Sequence, residues 1–174
     1  DIAEGENVSD KTVQSEFYDG YAAHAPIEPH TAAAMMDGEK ITVWVSAQTP
    51  FLVRDSIMEK LNISADKVRV IVPFVGGGFG GKGDNPQAVE AARITKLTGK
   101  PVMVAWTREE EFFYDTLRPA ALNRVRSGID KDGRITFWDF SVYCTGDRGS
   151  DTIYDVPNQK TTVFDQGEKD PQVH

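Results

Sequence analysis

Apolar and polar positions alternate through Ile41-Thr42-Val43-Trp44-Val45, a β-branched run entered from an Asp37-Gly38 turn. Alternation with period two predicts a half-buried strand. Immediately afterwards the period changes: Phe51, Val53, Ile57, Met58 and Leu61 recur at helical spacing behind Pro50, which suits the first helical turn, with a stop near Asn62. Residues 68–73 predict a second strand, residues 86–97 an Ala-rich helix closed by Thr98-Gly99, and residues 101–106 a third strand. Upstream, residues 16–23 read as a strand. Downstream, Thr107 followed by Glu109, Glu110 and Glu111 has the pattern of a capped helical turn, and residues 121–129 and 134–144 read as a hairpin turned at Asp130-Lys131-Asp132-Gly133. The order ββαβαβ with a terminal hairpin predicts a layered α/β domain: a mixed sheet with helices and an antiparallel C-terminal part.

A chain of 174 residues with 40% hydrophobic content can bury one real core. A single domain over residues 16–160 is therefore expected. Residues 1–15 are polar and predicted to be frayed, and residues 161–174 are predicted to be a disordered tail. The net charge of −8 argues against binding nucleic acid or an anionic membrane, both of which demand a basic footprint. The longest apolar runs are strand-sized, so no transmembrane helix is predicted. The first residues, Asp-Ile-Ala-Glu-Gly-Glu, show neither a signal-peptide pattern nor an initiator methionine, which fits a domain cut from a longer polypeptide. The compartment, cytoplasmic or periplasmic, is not readable. Cys144 stands alone, which excludes an internal disulfide or a cysteine-cluster metal site within the chain.

The segment richest in chemistry is Gly76-Gly77-Gly78-Phe79-Gly80-Gly81-Lys82, five glycines with one aromatic and one lysine directly after a predicted strand. Glycine tolerates positive φ and has no Cβ, so backbone N–H groups in such a loop can converge on a ligand at contact distance. Two nucleotide-binding patterns fit in part. Gly76, Gly81 and Lys82 begin a phosphate loop, but Gly83 stands where a magnesium-binding hydroxyl is required. Gly76, Gly78 and Gly81 fit the dinucleotide pattern, but residues 82–85 intervene before the helix. A nucleotide-binding α/β module and a non-catalytic interaction domain with a structural glycine turn are the competing readings.

The neighbouring strings decide between them. GGGFGGK, Gln48 about 30 residues upstream, His24-Ala25-Pro26-Ile27-Glu28-Pro29-His30 before that, and Thr107-Arg108-Glu109-Glu110-Glu111 then Arg118-Pro119 downstream occur in one order. Together they resemble the large subunit of molybdenum hydroxylases, the xanthine dehydrogenase and aldehyde oxidase family, over residues 21–158. The string Arg118-Pro119-Ala120-Ala121 resembles most the isoquinoline 1-oxidoreductase-like bacterial branch.

This resemblance implies the first molybdenum-cofactor-binding domain of an oxidoreductase that hydroxylates an aldehyde or an N-heterocycle, with water as the oxygen source. It implies a molybdenum–molybdopterin cofactor, iron–sulfur clusters on a partner subunit or domain, and the remainder of the large subunit as partner. The glutamate general base is expected beyond His174, so the fragment alone is expected to be inactive. Gln48, Gly78, Phe79, Gly80 and Gly81 are implied to bind the cofactor, Gln48 next to the apical oxo group, with no residue ligating the metal directly. Phe79 and Arg118 are implied to contact substrate. Their chemistry agrees: an amide can donate to a metal-bound oxygen, an aromatic face suits a planar substrate, and a guanidinium stabilises developing negative charge. Gly83 departs from the purine-oxidising members, which carry a glutamate directly after the loop lysine, and this disfavours purines. His24, Glu28 and His30 are the one cluster suggestive of a metal site, yet two prolines break the stretch and no three ligands sit at helical spacing.

Overall fold

The computed structural model describes residues 1–164. Along the chain the elements are α1 (Ile2–Asn7), β1 (Lys11–Asp19), β2 (Ala22–Ala23), β3 (Thr31–Asp37), β4 (Lys40–Val45), α2 (Pro50–Leu61), β5 (Val68–Ile71), α3 (Pro86–Thr98), β6 (Val102–Ala105), α4 (Arg108–Tyr114), β7 (Leu117–Arg118), β8 (Ala121–Ile129), β9 (Ile135–Tyr143) and β10 (Asn158–Phe164). Two compact units result, residues 23–117 and residues 1–22 with the chain from 118 onward, rather than the single domain expected over residues 16–160.

The 23–117 unit has the predicted ββαβαβ order, but its first strand is β3 and not the stretch at residues 16–23. Its sheet runs β5-β4-β3-β6. β3 is antiparallel to β4 and β6, and β4 is parallel to β5, so the sheet is mixed as expected. A parallel pair needs a crossover, and α2 provides it. α2 begins with Pro50 at its first turn and ends on Asn62, whose φ of 50° closes the helix in the left-handed region. α3 ends in the same way on Gly99.

The core joins Ala32 and Ala34 of β3 and Ile41, Val43 and Val45 of β4 to Val53 and Ile57 of α2 and Ala88, Ala91 and Ala92 of α3. Facing alanines let α3 approach the sheet closely. At the end of that contact the buried Thr95 hydroxyl donates to Ala34 O at 3.2 Å.

The other unit is a sheet in the order β1-β8-β9-β10. β8 and β9 form the predicted antiparallel hairpin, with Asp130 closing its turn through side-chain bonds to the N–H groups of Asp132 and Arg134. β10 lies parallel to β9. Two expectations are corrected here. Residues 1–15 are not frayed: Asp1 caps α1 by accepting from Ala3 N–H, and Gly5 lets that helix approach so closely that a Cβ would sit 2.6 Å from Phe137 Cβ. Residues 161–164, assigned to the disordered tail, complete β10, because Thr161 to Phe164 pair with Phe140 to Tyr143; residues 165–174 lie outside the described part.

Candidate cofactor site

Because β4 and β5 run parallel, with Ile41 opposite Val68 and Trp44 opposite Ile71, both strands deliver the chain to the same edge of the sheet. Strand ends on such an edge are where α/β folds place ligands. Gln48 follows β4 there, and the glycine loop follows β5. The two segments are tied by three hydrogen bonds: Gln48 N–H donates to Lys82 O at 2.9 Å, the Thr49 hydroxyl to Gly83 O at 2.6 Å, and Gly80 N–H to Gln48 Oε1 at 3.1 Å. The last bond fixes which end of the Gln48 amide is the oxygen, since only an acceptor can face that N–H. Gln48 Nε2 makes no hydrogen bond among the described residues and is left as a donor on an exposed side chain.

The loop adopts a conformation that glycine permits. Gly76, Gly77 and Gly80 have φ of 65°, 87° and 114°, and Phe79 is itself in the left-handed region at 55°. Phe79 stays 75% exposed despite that strain, so packing inside this chain does not account for its placement. Where φ does not require glycine, close contact does. A Cβ on Gly78 would meet Gln48 Oε1 at 2.5 Å, and one on Gly81 would meet Asp115 Oδ2 at 2.6 Å.

The histidine- and proline-rich segment before β3 lies against the loop. Glu28 N–H donates to Gly76 O at 3.3 Å, and Arg108 holds the same segment through Pro26 O and Ile27 O, the second at 3.1 Å. Arg108 thus acts on the backbone of this segment. Lys82, at the end of the loop, is fully buried and its ammonium donates to Val75 O. Burial pushes its pKa below the ordinary lysine range, while the nearby carboxylates of Glu28 and Glu111 pull in the opposite direction.

α4, capped by the Thr107–Glu110 box that the sequence predicts, supplies one carboxylate from Glu111 and a second from its C-cap residue Asp115, four positions on. Glu111 is buried and contacts His30 Nδ1 at 2.9 Å, and Asp115 lies 3.3 Å from His24 Nδ1. Ligand-type atoms of His30, Glu111 and Asp115 fall within 4.8 Å of one another, a grouping different from the His24, Glu28 and His30 set suggested by the sequence. Their atoms are already engaged: His30 with Glu111 and Gly81 O, Asp115 with His24 and with Thr116 N–H. We read them as a hydrogen-bonded network under the loop.

The structure therefore brings Gln48, Gly78, Phe79, Gly80 and Gly81 together on one edge. Arg118 belongs to the other unit, where its guanidinium pairs with the carboxylate of Asp19. Sequence reasoning missed the roles of Lys82, Glu111 and Asp115. The available signal was the i, i+4 spacing of Glu111 and Asp115 behind a helix cap, with two histidines upstream to receive them. The donor set fits an anionic, oxo-bearing group: an outward amide N–H₂ beside backbone with no side chain in front of it.

Comparison with known proteins agrees. Residues 1–165 match the molybdopterin cofactor-binding domain family. The chain is 35% identical over 136 residues to the probable hypoxanthine oxidase XdhD of Escherichia coli O157:H7, covering 78% of this chain and 14% of that protein. It is 39% identical over 118 residues to the aldehyde oxidoreductase molybdenum-binding subunit PaoC of Escherichia coli K12, covering 66% and 16%. Among solved structures, quinoline 2-oxidoreductase from Pseudomonas putida 86 superposes with a TM-score of 0.75 at 26% identity, over 82% of this chain and 19% of that one.

The branch assignment is corrected: the isoquinoline 1-oxidoreductase β subunit of Brevundimonas diminuta, 34% identical over 113 residues, does not stand out from the XdhD and PaoC proteins. The chain spans about a sixth of the length of PaoC and less of XdhD. Parallel strands that deliver Gln48 and a glycine loop to one edge, together with these matches, place the chain in the molybdopterin cofactor-binding domain family of the molybdenum hydroxylases.

Proposed function

We propose that this chain forms one wall of the molybdenum-cofactor site in a larger oxidoreductase that hydroxylates an aldehyde or an N-heterocycle with oxygen from water. The observation that carries the proposal is the Gln48 amide, whose oxygen is taken by Gly80 N–H and whose Nε2 is left to donate outward beside the loop. When bound, the molybdenum–molybdopterin group supplies the redox chemistry. The chain's own part is binding and orientation. Gln48 Nε2 donates to an oxygen of the group, Gly78, Gly80 and Gly81 keep the approach free of side chains, and the exposed Phe79 ring offers a flat face to substrate.

Arg118 is proposed to orient the substrate through its guanidinium. Gly83 has open space around it and no carboxylate, which favours substrates other than purines. The rest of the large subunit supplies the general base and the second half of the site, and iron–sulfur centres on a partner subunit or domain take the electrons. The fragment alone is inactive in this reading.

The test is Gln48→Ala in the full-length parent. Loss of a hydrogen bond to a charged centre is worth about 1.5–3 kcal/mol, hence a turnover on the order of tenfold to hundredfold slower, with molybdenum content retained. Wild-type turnover with normal cofactor loading removes Gln48 from the site.

A further inference from the structure

Glycines at 80 and 81 leave the loop backbone without side-chain restraint of its own, so something else must fix the direction in which its groups point. Gly81 N–H is held by Gly78 O at 2.9 Å. Its carbonyl is held from below by His30, whose Nε2 lies 3.2 Å from Gly81 O.

The His30 ring is immobilised on every side. Glu111 Oε2 accepts from its backbone N–H at 2.7 Å, and Glu111 Oε1 lies 2.9 Å from Nδ1. Trp106 lies against the ring with centroids 4.7 Å apart and donates its backbone N–H to His30 O at 3.0 Å. His30 and Glu111 are each 1% exposed, so neither contact can be replaced by water without opening the unit. Gly81 O can only accept, so Nε2 is the donor in that contact, and Nδ1 shares a hydrogen with Glu111 Oε1. A fully paired network of this kind leaves the ring a single orientation.

Between the Gly81 carbonyl and the Gly80 N–H lies one further peptide, whose two groups are also held: Gly81 N–H donates to Gly78 O at 2.9 Å, and Gly80 O accepts from Gly83 N–H at 3.1 Å. The preceding residue, Gly80, carries the N–H that holds Gln48 Oε1 at 3.1 Å. The connected series is therefore Glu111, His30, Gly81, Gly80, Gln48, running from α4 to the amide that leaves Nε2 outward.

We propose that His30, clamped by Glu111, is a positioning residue that sets the direction of the Gln48 amide by fixing the Gly81 carbonyl. This rests on the reading of Gln48 as a cofactor-facing donor. The effect is on alignment: His30 touches neither cofactor nor substrate in this scheme, and its removal loosens the loop that aims Gln48.

The experiment uses the full-length parent with three substitutions. His30→Leu removes both ring nitrogens, His30→Gln keeps a donor near the position of Nε2, and Glu111→Gln replaces one oxygen of the clamp with an amide NH₂ at constant size. Amide hydrogen exchange is read over residues 76–82, and the paramagnetic-resonance spectrum of the reduced metal centre is recorded for each variant. In His30→Leu, exchange at Gly80 is expected to be on the order of tenfold to hundredfold faster, with a shifted spectrum. His30→Gln is expected to restore both. Wild-type exchange and spectrum in His30→Leu overturn the proposal, and so does a His30→Gln variant as fast as His30→Leu, because the ring would then act by packing alone.

If His30→Leu does not fold, Glu111→Gln decides: a several-fold rise in loop exchange supports the clamp, and an unchanged loop refutes it. The two readings fail separately. Fast loop exchange in His30→Leu alongside full turnover of Gln48→Ala supports the positioning of the loop and removes Gln48 from the cofactor. Unchanged exchange removes the positioning role whatever Gln48→Ala does.

Discussion

Glu28 presses so closely on Gly76 that a methyl group on that glycine would sit 1.9 Å from Glu28 Oε2. The glycine also has φ of 65°. Gly76→Ala therefore combines backbone strain with overpacking, and a loss of about 2–4 kcal/mol is expected by denaturant unfolding. Gly83→Ala is the control: no atom lies within 4 Å of its Cβ position, and a change within about 0.5 kcal/mol is expected. Equal costs at the two positions would contradict the contact map of the loop.

Gly80 is the second place where the loop depends on glycine. Its φ of 114° is closed to a β-branched residue, and a Cβ there would sit 3.2 Å from His24 Nε2. Gly80→Val is expected to displace the N–H that holds Gln48, so in the full-length parent molybdenum content should fall together with activity. Metal analysis of the purified variant checks this, and normal loading with normal turnover would count against it.

The buried ammonium of Lys82 carries a pH dependence. Burial lowers its folded-state pKa below the ordinary 10.5, to which it returns on unfolding. Below the folded pKa both states hold the proton and the burial penalty is complete. Between the two pKa values the folded side chain is neutral while the unfolded one remains protonated, so stability gains with rising pH in that window. Thermal midpoints of the wild type and Lys82→Met, compared from near neutral towards pH 10.5, should show the wild type gaining on the variant. A constant difference would show that Lys82 is not desolvated.

ATP, GTP and NAD are expected not to bind. The loop passes through a 3₁₀ turn at Gly81–Gly83, and α3 starts only at Pro86, so no helix amino terminus opens directly onto the glycines, and Gly83 offers no hydroxyl to magnesium. Calorimetry that returns saturable micromolar binding would restore the nucleotide reading.

Elements whose pattern and punctuation agreed were legible from residues alone. α2 has Pro50 and Asn62 at its ends, α3 has Pro86 and Gly99, and the β8–β9 turn has Asp130 to Gly133. β3 was not legible, although it is an inner strand of its sheet, because Thr-Ala-Ala-Ala-Met-Met is built from good helix formers. Its strand state comes from burial of Ala32 and Ala34 against helices, a tertiary effect that overrides propensity. The short α1 depends on Phe137 and Asn158, more than 120 residues away, and β10 on its pairing with β9.

At the site, the proximity of Gln48 to the loop followed from two parallel strands and was readable. The carboxylates beneath it were not. Glu111 sits third in a run of three glutamates, and nothing in that run distinguishes the one that turns inward.

The residues that shape the loop from within the 23–117 unit all fall between His24 and Asp115, a single uninterrupted stretch of chain. Such a stretch can reach its final form on the ribosome while the polypeptide beyond it is still being made. The loop and the side chains that shape it can therefore take form before residues 118–164 are made.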